Sequence, residues 1–324
     1  MKRALVIISR DLNKGSTQYR FVQYEQALAE QGLQLSYIHR KDIDANTLQR
    51  LHEYDVVINQ KCLLPIGLAK KIRKQSRRLL FDIDDAVYTR PGKPYGWLTG
   101  WRVRRRLHWW LRHVDLVMPA NRFLADYISQ FTSHVAIVPM ALDLNVWQPA
   151  AKQQQHGLTI GWTGSPANLP KLQAIGEQLA ELLASREDCR FALYCGERPT
   201  LPFEFDYTPF SPGSEAAFVQ QLDIGLLPLS DEPFSRGKSP IKALQYLSCG
   251  VPLVGNSIGA SAELFDPDYT LDVATDGDWV GAIKQLLDNP NGLADMRQAA
   301  RLFIERQHNL DIVAKDLYRL LTGE

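Results

Sequence analysis

Residues 224–256 read IGLLPLSDEPFSRGKSPIKALQYLSCGVPLVGN. The apolar run over 224–229 is typical of a buried strand, and the polar stretch over 230–239 is typical of a loop. Residues 240–248 have the pattern of a helix, because Pro240 suits a first helical position and Gly250 ends the pattern. The stretch therefore predicts a strand, a loop and a helix in the order that builds an open α/β sheet.

The loop within this stretch carries Gly237, Lys238 and Ser239 and opens onto the N-terminus of the predicted helix. In an open α/β sheet, ligands bind outside the carboxyl ends of the strands, which is where such a loop lies. Free backbone N–H groups and the positive end of the helix dipole favour an anion there. Since Lys238 and Lys242 add positive charge, we expect the loop to bind a phosphate or diphosphate.

The same alternation of strands and helices runs through the rest of the chain. The other predicted strands are residues 4–9, 33–39, 56–59, 79–83, 116–119, 135–139, 158–162, 190–194 and 251–254. The other predicted helices are residues 16–31, 169–184, 276–288, 292–306 and 310–321. Strands that alternate with helices predict parallel sheets covered on both faces.

The alternation is interrupted once, over residues 149–157, where proline, alanine and glutamine predict a linker. We therefore expect two α/β domains, 1–148 and 158–324, with the last helices packing back on the first domain. The first 150 residues carry 23 Lys and Arg against 13 Asp and Glu, although the whole chain has a net charge of only +1. Two halves of opposite sign favour two domains with different binding surfaces, and a ligand is expected in the cleft between them.

The composition of the chain indicates the cellular compartment in which the protein is expected. No apolar run approaches the ~20 residues of a membrane-spanning helix, and the start of the chain does not have the pattern of a signal peptide. The four cysteines, Cys62, Cys189, Cys195 and Cys249, form no CxxC pair, which favours core thiols in a reducing cytoplasm. We therefore expect a cytoplasmic protein.

A second glycine turn begins the second half, where residues 160–166 read IGWTGSP. A strand that runs into Gly164 and Ser165 before a helix again presents backbone N–H groups to an anion, and Lys171 follows in that helix. The first half has a comparable loop at Gly15 and Ser16. None of these loops has the GxxxxGK[ST] or GxGxxG pattern, so neither a P-loop nor a dinucleotide site is predicted.

Three carboxylates, Asp82, Asp84 and Asp85, stand at the end of a predicted buried strand. They allow three interpretations. The first is a haloacid-dehalogenase-like phosphatase with Asp82 as nucleophile, and the second is the metal-binding Asp-x-Asp that is found in one of the two major glycosyltransferase folds. The third is an acidic cluster that binds acceptor hydroxyls or pairs with arginines. We favour the third, and capping of a helix or turn by Asp84 and Asp85 is the further alternative. The later acidic pair that a phosphatase requires could only be Asp276 and Asp278, which follow no clear strand.

Residues 97–114 read WLTGWRVRRRLHWWLRHV. Val103, Leu107, Trp110, Leu111 and Val114 fall on one face of a helix, and the arginines with Trp101 and Trp109 fall elsewhere. Such a basic, tryptophan-rich helix suits the headgroup layer of an anionic membrane. A core-packed helix with a solvated basic face explains it equally well. Nucleic acid is not expected, because no recognised motif accompanies the arginines.

Taken in order, these segments resemble GT-B glycosyltransferases of family 4, the retaining transferases common in bacterial polysaccharide and lipopolysaccharide assembly. The segments that carry the resemblance are Gly15-Ser16-x-x-Tyr19-Arg20, residues 81–85, residues 135–139 with Leu142-Asp143, residues 160–165, residues 223–229, and Lys238-Ser239-Pro240-Ile241-Lys242 continuing through residues 245–252. The resemblance implies two Rossmann-like domains that face each other across a cleft.

The resemblance also implies roles for individual residues. The catalytic positions are Lys238, Lys242 and Lys171, which would neutralise the leaving diphosphate without an obligatory metal or other cofactor. The donor-binding positions are Gly15, Gly164, Ser165, Ser239, Ile241, Gln245 and Tyr246. The acceptor-side positions are Ser16, Arg20, Asp82, Asp84, Asp85, Asn121 and Arg122.

The expected reaction transfers a sugar from a UDP-, GDP- or dTDP-linked donor to a glycan or lipid-linked acceptor, with peripheral binding to the inner membrane face. Members of the family often carry two glutamates in the last motif, and here Gly237 and Gln245 stand at those positions. The retained lysines favour a subfamily variant, and a degenerate nucleotide- or partner-binding module is the main alternative. Base recognition is expected from loops such as residues 207–211.

Overall fold

The computed structural model describes residues 1–12, 15–150 and 157–324. Its strands are β1 Lys2–Ile8, β2 Leu33–His39, β3 Val56–Gln60, β4 Leu79–Ile83, β5 Leu116–Pro119, β6 Leu158–Thr163, β7 Cys189–Cys195, β8 Asp206–Pro209, β9 Ile224–Leu227, β10 Leu253–Gly255 and β11 Thr270–Asp272. Its α-helices are α1 Gly15–Arg20, α2 Glu25–Glu30, α3 Ala45–Arg50, α4 Ile66–Gln75, α5 Trp97–His113, α6 Arg122–Ile128, α7 Leu169–Gln173, α8 Gly176–Ala184, α9 Glu215–Val219, α10 Pro233–Arg236, α11 Ile241–Ser248, α12 Trp279–Leu287, α13 Pro290–Gln307 and α14 Leu310–Thr322.

The chain divides into two compact units. The first unit comprises Met1–Ala141, Glu232–Ser239 and Leu310–Glu324, and the second comprises Leu142–Asp231 and Pro240–Asn309. The loop over 232–239 and the last helix, which the predicted domain 158–324 includes, thus belong to the first unit. Residues 151–156 of the predicted linker lie outside the described residues.

The first unit is built on a parallel sheet in the order β2-β1-β3-β4-β5. Alternate residues of each strand enter different cores. Ile7, Val57 and Phe81 pack with α4 and α5 on one face, whereas Val6 and Ile58 pack with α2 and α14 on the other. This two-sided burial is why the strands read as continuous apolar runs, and it confirms the predicted parallel sheet with both faces covered.

Two sequence predictions for the first unit are wrong in detail. The single helix predicted over 16–31 is broken at Phe21, which is buried and leaves the helical region with φ −139°. The strand predicted over 135–139 does not form a continuous ladder. It follows β5 through a bridge from Val135 to Val117 and a hydrogen bond from Val138 N–H to Pro119 O at 2.9 Å, but Pro119 and Pro139 have no N–H to donate.

The second unit is built on a parallel sheet in the order β11-β10-β9-β6-β7-β8. The two outer strands, β8 and β11, were not predicted, and β8 occupies most of the stretch expected to be a base-recognition loop. The helix predicted over 169–184 is interrupted at Ile175, a buried residue between α7 and α8. The two units together confirm the predicted fold class, two Rossmann-like α/β domains.

Close approach of α11 to β9 fixes the centre of the second unit. A Cβ atom placed on Gly225 would lie 2.6 Å from Cγ of the Tyr246 ring, so only glycine leaves room for that ring. Tyr246 is fully buried, and its hydroxyl accepts a hydrogen bond of 2.8 Å from the backbone N–H of Thr163 at the end of β6. Tyr246 therefore ties α11 to two neighbouring strands.

No helix within the described ranges is both long enough and apolar enough to cross a lipid bilayer.

We predict that Gly225→Ala destabilises the protein by about 1–3 kcal/mol, because the added methyl group overpacks the Tyr246 ring. Urea unfolding followed by circular dichroism measures the loss. Gly67→Ala is the matched control, since a Cβ atom on Gly67 meets no atom within 4 Å and alanine favours the helix α4. Equal stability of the two variants would contradict the close approach.

Candidate functional site

Each sheet has one point at which the strand order reverses, and ligands of open α/β sheets bind at the carboxyl ends of strands there. In the first sheet this point lies between β1 and β3, and in the second it lies between β6 and β9. The segments that follow these strands contain Gly15, Lys61, Gly164 and the loop before α11. The strand order thus places most of the loops that the sequence predicts to bind anions at these two points.

The N-terminal part of α11 carries a charged cluster in the second unit. Lys242 Nζ lies 3.1 Å from Oε1 of Glu215, the first residue of α9, and Gln245 Nε2 donates to Glu215 Oε2 at 3.4 Å. Lys242 and Glu215 side chains are each about one quarter exposed, whereas Gln245 is buried. The cluster therefore presents an ammonium and a carboxylate to solvent on a fixed helix.

Glu215 was missed by the sequence analysis. It precedes Gln245 by thirty positions and belongs to no recognised motif, so no local signal identifies it. Its position matters because a carboxylate was expected at residue 245 itself. The tertiary structure supplies one from another helix instead.

Other predicted donor residues occupy the same unit. Gly164 and Ser165 follow β6, and the Ser165 hydroxyl accepts a hydrogen bond of 3.0 Å from Asn168 Nδ2. Lys171 lies in α7, and Ile241 is the first residue of α11. Burial raises the pKa of Tyr246 above its ordinary value, so its hydroxyl stays protonated and serves the packing of α11.

Lys238 and Ser239 belong instead to the first unit, where the segment 232–239 packs. Asn121 caps α6 by accepting from Leu124 N–H at 2.9 Å, and its Nδ2 donates to Ser239 Oγ at 3.0 Å. The Ser239 hydroxyl in turn donates to the backbone oxygen of Asp84 at 3.4 Å. Ser239 and Asn121 are both buried, whereas Lys238 is exposed at the end of this segment.

Gly237 is sterically required in the same segment. A Cβ atom placed on it would lie 2.5 Å from Cβ of Ala86 and 3.3 Å from Cδ2 of Leu124. A glutamate at this position would have to displace the loop from β4 and α6. The acid expected from the resemblance is thus excluded here by packing.

Asp82, at the end of β4, forms a fully buried ion pair with Arg20. Arg20 Nε lies 3.0 Å and 3.3 Å from the two carboxylate oxygens, and its terminal nitrogens contact Asp82 and the backbone oxygen of Val138. A phosphatase nucleophile has to be open to its substrate, so this geometry disfavours that interpretation of Asp82. The pair holds α1 and the segment after β5 to the sheet edge.

Asp84 and Asp85 share a different cation, Lys61, which the sequence analysis also missed. Lys61 Nζ lies 2.7 Å from Asp84 Oδ1 and 2.5 Å from Asp85 Oδ2. Lys61 directly follows β3 and has a φ of 44°, which is strained for a residue with a side chain. Its N–H donates to Asp82 O at 2.8 Å, so the sheet edge holds the lysine in this conformation.

The electrostatics of this cluster are dominated by burial. The pKa of Asp84 is raised to about 6, first by its burial and then by the charge of Asp85, against the lowering effect of Lys61. Asp85 is one quarter exposed, whereas Asp84 is buried. Asp85 is therefore the carboxylate of this cluster that an incoming hydroxyl group reaches more easily.

The remaining predicted residues lie at the starts of helices. Gly15 has φ +50° and begins α1 with Ser16, and Arg122 is the exposed first residue of α6. Asp278 caps α12 by accepting from Gly281 N–H at 2.7 Å, which explains it without phosphatase chemistry. Over the ranges that the structure describes, no three His, Cys, Asp or Glu side chains are grouped so as to hold a metal ion.

Comparison with known proteins adds a family description. Residues 173–319 match a family model described as glycosyl transferase-like. The prediction of a glycosyltransferase is confirmed. The matched stretch contains α9 and α11, and hence the cluster of Glu215, Lys242 and Gln245. The search of curated protein sequences finds no match.

Several solved structures share the fold of this protein over its whole length or nearly so. Sucrose-phosphate synthase from Thermosynechococcus elongatus is 14% identical with a TM-score of 0.75, and both chains are covered fully. HepE from Anabaena in complex with UDP is 13% identical with a TM-score of 0.72, again over both whole chains. An α-glucosyltransferase in complex with UDP and DNA is 12% identical with a TM-score of 0.62 over 99% of each chain. These similarities show that the fold is GT-B.

We predict that Asp82→Asn destabilises the protein by about 3–5 kcal/mol, since it leaves the Arg20 charge buried without its counterion. Asp115→Asn is the matched control, because Asp115 pairs with Arg73 at a site where both side chains are more than one third exposed. Its loss should stay below about 1 kcal/mol. Similar losses in urea unfolding would show that burial does not distinguish the two pairs.

We predict a pH dependence of stability that comes from Asp84. Because its pKa is about 6 in the folded protein and near the ordinary value when unfolded, the folded state holds a proton that the unfolded state has lost between about pH 4 and pH 6. The stability that Asp84 contributes is therefore lost as pH rises through this window, by up to about 3 kcal/mol. Asp84→Asn cannot titrate, so the stability of the wild type relative to this variant should fall from pH 4 to pH 7. Parallel pH profiles would refute the shift.

Proposed function

We propose that this protein is a retaining, family 4-type glycosyltransferase that moves a sugar from a nucleotide-diphosphate sugar to a glycan or lipid-linked acceptor in polysaccharide or lipopolysaccharide assembly. The observation that carries the proposal is the cluster of Lys242, Glu215 and Gln245 at the start of α11. The start of α11 follows the loop after β9, one of the two strands at which the order of the second sheet reverses.

The diphosphate and the ribose of a sugar nucleotide match the two charges of this cluster. Lys242 lies in the first turn of α11, where its ammonium and the helix dipole together favour the diphosphate. In the transition state the leaving diphosphate gains negative charge, which a fixed cation stabilises more than it stabilises the bound donor. We propose the same function for Lys171 and Lys238.

We propose that Glu215 binds the ribose. An ionised carboxylate is an acceptor on both oxygens, so it suits the two neighbouring hydroxyl groups of a ribose. Gln245 Nε2 holds one carboxylate oxygen, and Lys242 lies beside the other. This arrangement compensates for the glutamine at position 245.

The donor that we propose is a UDP-linked sugar. HepE has been solved with UDP and with UDP-glucose, and the α-glucosyltransferase has been solved with UDP. In a retaining reaction on one face of the sugar, the leaving phosphate itself accepts the proton of the acceptor hydroxyl. Such a mechanism needs no side-chain base and no obligatory metal.

For the acceptor we propose the carboxyl edge of the first sheet, with Asp85 as the accessible carboxylate and with Ser16, Asn121 and Arg122 as further acceptor-side residues. Arg20 and Asp82 satisfy each other in the interior, so we propose that they position this edge and do not touch the acceptor. Asp84 and Asp85 both pair with Lys61, and we propose that Asp84 keeps this lysine in place beside Asp85.

We further propose that the protein binds peripherally to the cytoplasmic face of an anionic membrane, where a lipid-linked acceptor would lie. The predicted apolar face of α5 is buried through Leu107, Trp110 and Leu111, so its basic and aromatic remainder faces solvent. Trp97 and Trp101 are 79% and 55% exposed. Exposed tryptophans with cations are the composition of interfacial helices.

Nucleotide binding tests the donor site directly. We expect UDP to raise the melting temperature of the wild type more than GDP, ADP or dTDP does, because ligand binding stabilises the folded state. Lys242→Ala and Glu215→Gln should each weaken UDP binding by about tenfold, a loss typical of one charged contact. Lys315→Ala, an exposed lysine of α14, is the control and should bind UDP normally.

The outcomes separate the candidate functions. UDP binding followed by UDP-sugar turnover supports the transferase, and binding without transfer or hydrolysis would favour a degenerate nucleotide-binding module. That alternative is kept because Gly237 and Gln245 replace both expected acids. No thermal shift with any of the four nucleotides would contradict the proposed donor site.

A further inference from the structure

A groove of about 680 Å³ opens along α4 and α5 in the first unit. Lys70 of α4 and Arg104, Arg105 and Arg112 of α5 line it, and all four side chains are exposed. Aromatic side chains of α5, among them Trp109, form its apolar part. The groove thus combines several cations with an aromatic wall.

The charge of this region is of one sign. The two helices together contain nine Lys and Arg residues and no Asp or Glu. Of the nine, Arg73 pairs with Asp115, which lies two residues beyond the end of α5. A concave surface of this kind concentrates anions, because the field of several like charges is focused in a cleft.

Ring stacking holds the groove cations in place. The Arg105 guanidinium lies 5.2 Å from the ring centre of Trp101, and that of Arg112 lies 5.7 Å from Phe131. Arg104 Nε donates to Gly100 O at 3.4 Å. Burial and then the charges of Arg112 and Arg104 lower the pKa of His108 in the same wall, so this histidine is neutral near pH 7.

Apolar side chains project beside the cations at the start of α5. Trp97, Leu98 and Trp101 are 79%, 49% and 55% exposed. Side chains of this kind gain free energy by entering the boundary between lipid headgroups and acyl chains. A phosphate that is joined to an apolar anchor matches both parts of the surface, whereas a free phosphate or the backbone of a nucleic-acid duplex matches only the cations.

We propose that the groove between α4 and α5 is a binding site for the phosphate of anionic lipid headgroups on a bilayer surface, with Lys70, Arg105 and Arg112 as its cations. The inference rests on the proposed peripheral membrane binding and is independent of the proposed sugar transfer. It goes further than general attraction between a basic helix and a membrane, because it assigns the binding energy to particular side chains.

Two variants of equal charge test the groove. The groove variant carries Lys70→Gln, Arg105→Gln and Arg112→Gln, and the control carries Lys71→Gln, Lys74→Gln and Arg102→Gln. The control residues are exposed on the same two helices and do not line the groove. Binding is measured by co-sedimentation with vesicles of phosphatidylcholine alone and of phosphatidylcholine with phosphatidylglycerol.

We expect the wild type to bind the anionic vesicles in a salt-dependent manner and to bind phosphatidylcholine vesicles weakly. The groove variant should lose about tenfold more affinity than the control, which corresponds to about 1.4 kcal/mol. Glycerol 3-phosphate should compete with the vesicles for the wild type more strongly than sodium chloride of equal ionic strength. Cooperative urea unfolding followed by circular dichroism, with the same midpoint as for the control variant, shows that the groove variant is folded.

Equal losses for the two variants would overturn the groove site and leave general membrane attraction in place. No binding of the wild type to anionic vesicles would overturn both. Tighter binding to a DNA oligonucleotide than to anionic vesicles would identify a nucleic-acid surface and overturn the lipid assignment. Failure of the UDP shift in the wild type concerns the sugar-transfer proposal and leaves the vesicle result unaffected.

Discussion

Parallel strand pairing is the constraint on which the rest of this structure depends. Because all strands of each sheet run in one direction, every loop that follows a strand reaches the same edge of its sheet. Loops that are far apart in sequence are thereby brought to a common surface. In the second unit this edge receives Gly164 from the end of β6 and the start of α11 from beyond β9.

Packing then decides which residue types the edges accept. Gly237 approaches Ala86 so closely that a side chain at that position is excluded, and Gly225 leaves the room that the Tyr246 ring fills. The two positions at which acids were expected therefore have different structural explanations. The segment at 237 packs into the first unit, and Glu215 brings a carboxylate to Gln245 from another helix.

Buried charge has two different outcomes within a few residues of one strand. Asp82 and Arg20 are both removed from solvent and satisfy each other, so they stabilise the sheet edge only as a pair. Asp84 and Asp85 share the single ammonium of Lys61, which leaves an excess of negative charge in a site of low polarity. The raised pKa of Asp84 follows from this excess and from burial.

The sequence by itself determined the fold class, most of the strands and the glycine loops, because these depend on local apolar periodicity and on residues such as Gly164 and Pro240. It also determined the buried face of α5. Only the tertiary structure decided that residues 232–239 join the first unit, that Glu215 reaches Lys242 and Gln245, and that Lys61 bridges two carboxylates. Such contacts join residues that are distant along the chain, and local pattern holds no information about which distant side chain will fill a given space.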